Sequence, residues 1–184
     1  MKLNIGAGHD IYDGWINHDI AALPGIDVVH DLNLTPWPWS DESMDEVVAY
    51  DVIEHLDDFI KIMEELWRVM AVGGRAKIRV PYMGSWSFAA DPTHRRAFHE
   101  STFMFFDPTS SLCQERSYYS HARFTVKTYS YICAPFIPFF VIPGIGEGHV
   151  RRRFGRAITG FLGMHLISNL IQGLEIELER MPSN

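Results

Sequence analysis

Cysteine is nearly absent from this chain: 184 residues contain only Cys113 and Cys133. Their spacing forms no metal or redox motif and suggests no disulfide framework, so a reducing cytoplasm is the expected setting. Basic charge is also scarce. Sixteen Lys and Arg against 23 Asp and Glu leave a net charge of −7, which argues against a general nucleic-acid binder with its basic surface. No long hydrophobic run occurs. The most apolar segment, 134–145, is short and holds Pro135, Pro138 and Pro143, so it cannot form a normal membrane span. There is no internal repeat and no low-complexity tract, and the N-terminus opens directly on a strand, so no signal peptide is expected.

What remains is an ordinary globular composition, 47% apolar and 21% charged, long enough for one domain over 1–184 with a real core. The alternation of elements predicts an α/β fold with a mostly parallel sheet. Strands are expected at 3–5, 15–18, 26–30, 44–50 and 75–80, with later ones at 124–132 and 174–178. A helix follows Asp57 or Asp58 as its cap, with Phe59, Ile62, Met63, Leu66 and Met70 at helical spacing. Gly73-Gly74 is the expected stop of that helix. Phe154, Ile158, Phe161, Leu162, Leu166 and Leu170 predict a last amphipathic helix. Residues 9–14, between the first two strands, are too few for the crossover helix that a parallel pair normally needs. The long stretch 82–119 reads as an elaborated, functional connection with a short helix over 100–106.

Chemistry concentrates at the strand ends. The first strand runs into Gly6-Ala7-Gly8, where glycine lets a ligand approach the backbone with no Cβ in the way. The second ends in Asp19, placed to accept both hydroxyls of a ribose, and Asp31 and Asp51 end the third and fourth. A dinucleotide site would need a third glycine where Ile11 stands, and its acid lies further along the chain than Asp19 does.

These residues resemble the class I S-adenosylmethionine-dependent methyltransferases, specifically the small branch labelled methyltransferase type 11. The resemblance rests on Leu3-Asn4-Ile5-Gly6-Ala7-Gly8, Asp19, Asp31-Leu32, the run from Met44 through Asp51 and Glu54-His55 to Leu56, and Val69 to Arg75. Asp91-Pro92-Thr93-His94-Arg95-Arg96 also looks like a motif of that branch. Beyond about Phe106 the likeness is architectural. It implies a Rossmann-like sheet with an antiparallel C-terminal strand and a shortened first crossover helix. Residues 1–81 would form the cofactor half, and 82–184 the acceptor-side elaboration and C-terminal hairpin. It implies S-adenosylmethionine as cofactor: Gly6, Ala7 and Gly8 under the methionine moiety, Asp19 and Ile20 at the ribose, Asp31 and Leu32 beside the adenine, Tyr50 and Asp51 near the methionine end. Two departures stand out. His9-Asp10 follows Gly8 in place of Thr-Gly or Ser-Gly, and the covering helix that larger members carry upstream of strand one is not expected here.

On the acceptor side, Asp91 and His94 are the candidate catalytic pair, with His94 as a base for a hydroxyl or acidic N–H. His55, Arg95 and His99 are candidate acceptor contacts. The alternative for His94 is a structural histidine behind an Asp91-Pro92-Thr93 turn. Asp51, Glu54 and His55 are similar to the metal-binding set of some quinone-pathway O-methyltransferases, but an acid opening a helix explains Glu54 as well, and no metal is assigned. Arg151, Arg152, Arg153 and Arg156 beside the apolar run would suit an anionic membrane surface; a lid or dimer contact with solvated arginines is the alternative. Trp37, Trp39, Trp86, Phe88, Phe103, Phe105 and Phe106 divide between core and acceptor pocket. The expected activity is methyl transfer to oxygen or nitrogen of a small-molecule or glycan-like acceptor. DNA adenine is disfavoured, since Ala49-Tyr50-Asp51-Val52 stands where that group has Asp-Pro-Pro-Tyr. The rivals are a non-catalytic binding module and an enzyme acting on a lipid-linked acceptor. A homo-oligomer is left open.

Overall fold

The computed structural model describes residues 1–133, 148–150 and 170–183. Eight strands form one sheet in the order β3-β2-β1-β4-β5-β8-β6-β7. They are β1 (Lys2–Ile5), β2 (Ile16–Asp19), β3 (Val28–Val29), β4 (Met44–Tyr50), β5 (Met70–Pro81), β6 (Phe124–Cys133), β7 (Gly148–Val150) and β8 (Ile171–Arg180). The first five are mutually parallel, and β8 lies antiparallel between β5 and β6. The expected Rossmann-like sheet with its antiparallel C-terminal strand is therefore present. The helix expected from Phe154 onward, the apolar run 134–145 and the arginine cluster fall outside the described residues.

One face of the sheet carries the core. Leu3, Ile5, Val47, Ala49, Ile78 and Leu174 are all at most 2% exposed, and α1 (Phe59–Val69) buries Phe59, Ile62, Met63 and Leu66 in the same cluster. Asp58 caps α1, its Oδ1 accepting from the N–H groups of Ile60 and Lys61 at 3.1 and 3.2 Å. Phe59 then meets Phe98, Phe103 and Phe106 edge-on at ring distances of 5.3–5.7 Å, so the elaborated connection packs onto the start of α1. That connection holds three short helices, α2 (Trp86–Ala90), α3 (Glu100–Met104) and α4 (Ser111–Glu115). Of the aromatics singled out above, Trp37, Trp39, Phe103 and Phe106 are core, whereas Trp86 is 69% exposed.

The opposite face is charged. Lys2 pairs with Glu46, Arg75 with Glu177 and Lys127 with Glu179, at 3.0, 3.6 and 3.2 Å. Parallel sheets are normally covered on both faces, so this row of cross-strand pairs marks strands built for a wet face. A shallow cleft of about 740 Å³ runs along it, but Tyr50 is its one lining residue from the candidate set.

Two local expectations change and a third holds. Helix α1 stops at Val69 rather than at Gly73-Gly74, because Met70 turns extended (ψ 140°) and pairs with Met44 as the first residue of β5. Gly73 instead serves the irregular start of β5, with φ +77°. Strand β3 is two residues long, not five. Between β1 and β2 there is no helix at all.

Candidate active site

The parallel pair β1–β2 survives without a crossover helix because two buried asparagines replace it. Asn4 and Asn17 are 4% and 3% exposed. Asn4 Nδ2 donates to the Asp10 carbonyl at 2.8 Å and to Asn17 Oδ1 at 3.1 Å. Asn17 accepts from the Tyr12 N–H at 2.9 Å and donates back to the Tyr12 carbonyl at 3.0 Å. Asp27 completes the set by accepting the Asn17 N–H at 2.8 Å. Side-chain amides thus satisfy the backbone of the link, the task a helix would otherwise perform through its own ladder. The link consequently stays open above the glycine turn.

That turn depends on its glycines in two different ways. Gly6 has φ +65°, and a Cβ there would meet Val52 Cγ2 at 2.7 Å; Gly8 has φ +52°, and a Cβ there would project into open space. Gly6 is required by close packing, and Gly8 keeps a cleft clear. Asp19 stabilises the turn from β2: Oδ2 accepts the Gly8 N–H and Oδ1 the Ala21 N–H, both at 2.9 Å. Each oxygen keeps one further acceptor site for a ligand hydroxyl. His18, 1% exposed, lies beneath, with Nε2 2.9 Å from the His30 carbonyl and Nδ1 3.5 Å from the Gly6 nitrogen. Burial lowers its pKa from 6.5, and an acceptor at Nε2 with a donor at Nδ1 fits the Nε2–H tautomer.

Asp51 ends β4 in the left-handed region, φ +54°, a costly conformation for a non-glycine residue that concentrates at functional sites. Its carboxylate pairs with Arg79 of β5, whose Nε donates at 2.7 Å, and the guanidinium lies 4.6 Å from the Tyr50 ring centroid. Two adjoining clefts meet there. One, of about 320 Å³, is lined by Gly6, Asp19, Ile20, Asp31, Leu32 and Asp51 among others. The second, of about 330 Å³, is lined by Gly6, Ala7, Gly8, Tyr50, Asp51 and Arg79 among others. All nine residues expected at the cofactor line one or both clefts, at the carboxyl ends of parallel strands. The sequence pattern assigned no role to Arg79, Asn4, Asn17 or His18; asparagine inside a strand is the one signal that could have found the amides.

The acceptor-side candidates separate into two groups. His55, Asp91 and His94 come together. His94 Nε2 is 3.8 Å from Glu54 Oε1 and 3.9 Å from Asp91 Oδ2, and the His55 and His94 rings lie 4.8 Å apart. Thr93 bridges them, its hydroxyl 2.6 Å from Asp91 Oδ1 and 2.9 Å from His55 Nδ1. Arg95 holds the loop down: its N–H donates to the Glu54 carbonyl at 2.9 Å, its Nε to the His55 carbonyl at 3.0 Å, and its Nη1 pairs with Asp57 at 2.7 Å. Its guanidinium is therefore engaged in the fold. His99 lies apart. Its Nδ1 accepts the Ser101 N–H at the start of α3, and its Nε2 is 3.4 Å from Glu100. Glu54, 1% exposed, is the outstanding member of the first group, and burial raises its carboxyl pKa to about 8. Hydrogen bonds from Thr93 hold the Asp91 carboxyl below its ordinary range.

Comparison with known proteins bears on these clefts. Residues 3–78 match the family model described as a methyltransferase domain. A Mycolicibacterium smegmatis protein named as a probable S-adenosylmethionine-dependent methyltransferase is 35% identical over 92 residues, 50% of this chain and 35% of its own. The match thus spans about a third of that relative. Among solved structures, an S-adenosylmethionine-dependent methyltransferase from Archaeoglobus fulgidus superposes with a TM-score of 0.60 at 19% identity, over 97% of this chain and 85% of that one. The [4+2]-cyclase SpnF superposes at 0.55 with 10% identity, over 98% and 74% of the two chains. Both likenesses are of fold.

Proposed function

We propose that this chain is a class I S-adenosylmethionine-dependent methyltransferase, a reading that its fold and the match over residues 3–78 support, and that it transfers a methyl group to oxygen or nitrogen of a small-molecule or glycan-like acceptor. The observation that carries the cofactor part is the pair of clefts meeting at Gly6 and Asp51. Their lining suits the ligand. Asp19 offers acceptor sites for ribose hydroxyls, Leu32 and Ile20 offer apolar surface for adenine, and the bare Gly8 backbone admits the methionine arm. Asp51 and Arg79 offer opposite charges for its ammonium and carboxylate.

When bound, the cofactor supplies an electrophilic methyl on a sulfonium. The chain's own work is then to hold donor and acceptor in line, since positioning supplies most of what such a displacement needs. Asp91 and His94 are the acceptor-end pair in this reading. His94 is 9% exposed, and its Nδ1 lies 3.0 Å from the Phe88 carbonyl. It therefore acts through Glu54 and Asp91 rather than as a freestanding base. That SpnF is a [4+2]-cyclase on a similar fold makes the acceptor and reaction a matter for the site, not the architecture.

A cytoplasmic setting is supported by two buried, unpaired cysteines. Among the described residues no helix is long and apolar enough to cross a membrane. The −7 net charge favours a small acceptor over nucleic acid.

Isothermal calorimetry tests the cofactor reading. S-adenosylmethionine should bind the wild-type chain one to one. Gly8→Val, which fills the open space above the turn, should abolish the heat, while Asp19→Ala should weaken affinity about 10–100-fold through two lost hydrogen bonds. Wild-type protein that binds no S-adenosylmethionine at millimolar concentration would overturn it.

A further inference from the structure

We infer that Glu54, His55 and His94 form a binding site for a divalent transition-metal ion. Glu54 and His55 sit on the short turn after β4, and His94 comes from the loop after α2, drawn down by the Arg95 N–H to Glu54 carbonyl bond. One ligand atom from each residue lies within 4.8 Å of the others. Two donors about 2.1 Å from a common tetrahedral ion stand about 3.4 Å apart. Closing the widest pair of the set therefore takes a shift of about 1.4 Å, which side-chain rotations supply.

Hydrogen bonding orients both imidazoles for ligation. The Thr93 hydroxyl donates to Asp91 Oδ1 at 2.6 Å, so at His55 it can only accept, and His55 carries its proton on Nδ1. His94 Nδ1 faces a carbonyl, that of Phe88, at 3.0 Å, and so carries a proton as well. Both Nε2 atoms are thereby left with lone pairs, the arrangement in which backbone and side-chain acceptors prepare histidine for a metal.

The carboxylates complete the case. Glu54 is 1% exposed, and its Oε2 has no hydrogen-bond partner, a costly condition for a buried polar atom. His94 Nε2 looks at Glu54 Oε1 and Asp91 Oδ2 from 3.8 and 3.9 Å. The His94 lone pair and these two carboxyl oxygens converge on one point, where they offer donors to a cation. A proton on Nε2 would draw one oxygen to about 2.8 Å; equal gaps near 3.8 Å suit an ion. Asp51, which the resemblance noted above adds to the set, is held by Arg79 at the cofactor clefts. His94 takes its place.

Two imidazoles and one carboxylate suit Zn²⁺, Co²⁺ or Mn²⁺ better than Mg²⁺ or Ca²⁺, which take oxygen ligands. Three protein donors leave at least one position for water or an acceptor oxygen. That last role rests on the methyltransferase reading; the site itself does not.

The test is titration of the chelator-stripped chain with Co²⁺, followed by its visible absorption, with Zn²⁺ as competitor. About one equivalent should bind and be displaced by Zn²⁺. His94→Ala and Glu54→Gln should each abolish the signal, and Asp51→Asn should leave it unchanged. Thr93→Val, which removes only the bond that orients His55, should weaken affinity about 10-fold or more, and covers the case in which His94→Ala fails to fold. Absence of stoichiometric binding, or binding untouched by both Glu54→Gln and Thr93→Val, overturns the site. Calorimetry with S-adenosylmethionine on the same samples separates the two claims: cofactor bound without metal refutes the site alone, and metal bound without cofactor refutes the cofactor reading alone.

Discussion

Asp19 organises the clefts before any ligand enters them, since its two oxygens accept the N–H groups of Gly8 and Ala21 at once. A strand-end acid after a Gly-x-Gly turn was legible from the sequence. Its double duty was not, because backbone N–H groups leave no trace in residue type. His18 shows the same limit more sharply. It reads as an ordinary strand residue, yet it lies between the His30 carbonyl and the Gly6 nitrogen. Its pKa is lowered from 6.5 by burial, and the consequence for stability has a definite sign. Between the folded and unfolded values the unfolded chain takes up a proton that the native state refuses. The stability that neutral His18 confers is therefore full above about pH 6.5 and is lost as pH falls toward the lower folded value. Urea titrations from pH 7.5 to 5, settings chosen around that midpoint, should show declining stability. The decline should be shallower in His18→Gln; identical slopes would remove His18 as its source.

At the scale of elements, the joins between them carry the departures. Helix α1 was legible from its apolar spacing and its Asp58 cap. Asp58→Ala should cost about 1 kcal/mol in chemical denaturation, with Asp58→Asn close to wild type. The end of α1 was misread because Gly73-Gly74 resembles a helix stop, whereas pairing of Met70 with Met44 wins the chain for β5 four residues earlier. The β1–β2 link was the other obscure join. Its shortness was visible, but its solution, the amide pair Asn4 and Asn17, depends on which side chains meet in the folded state. Asn17→Ala leaves the Tyr12 N–H and the Asn4 amide without their partner and should cost about 1–3 kcal/mol. Denaturation of that variant at neutral pH checks it, and a loss below a few tenths would deny the amides their structural role. His94 reaches Glu54 and His55 across nearly forty residues by the same kind of tertiary meeting. The sequence could only place Glu54 with its near neighbour Asp51.

For the whole molecule, the strand order and the position of the clefts follow from one economy. The N-terminal strands dispense with the first crossover helix, and the face it would cover carries the pairs Lys2–Glu46 and Arg75–Glu177 in place of apolar side chains. The fold class was legible because alternation of apolar and polar residues along β5 and β8 survives that loss. The wet face was not, since Glu175, Glu177 and Glu179 alternate with leucine and isoleucine as on any half-buried strand. The open β1–β2 link leaves the glycine turn free for ligand capture, and a crystal structure with S-adenosylhomocysteine tests that relation. Both ribose hydroxyls should lie within hydrogen-bond distance of Asp19, the adenine beside Leu32, and the amino-acid end between Gly8 and the Asp51–Arg79 pair. A ligand bound instead along the charged sheet face, with the Gly6–Gly8 turn untouched, would contradict it.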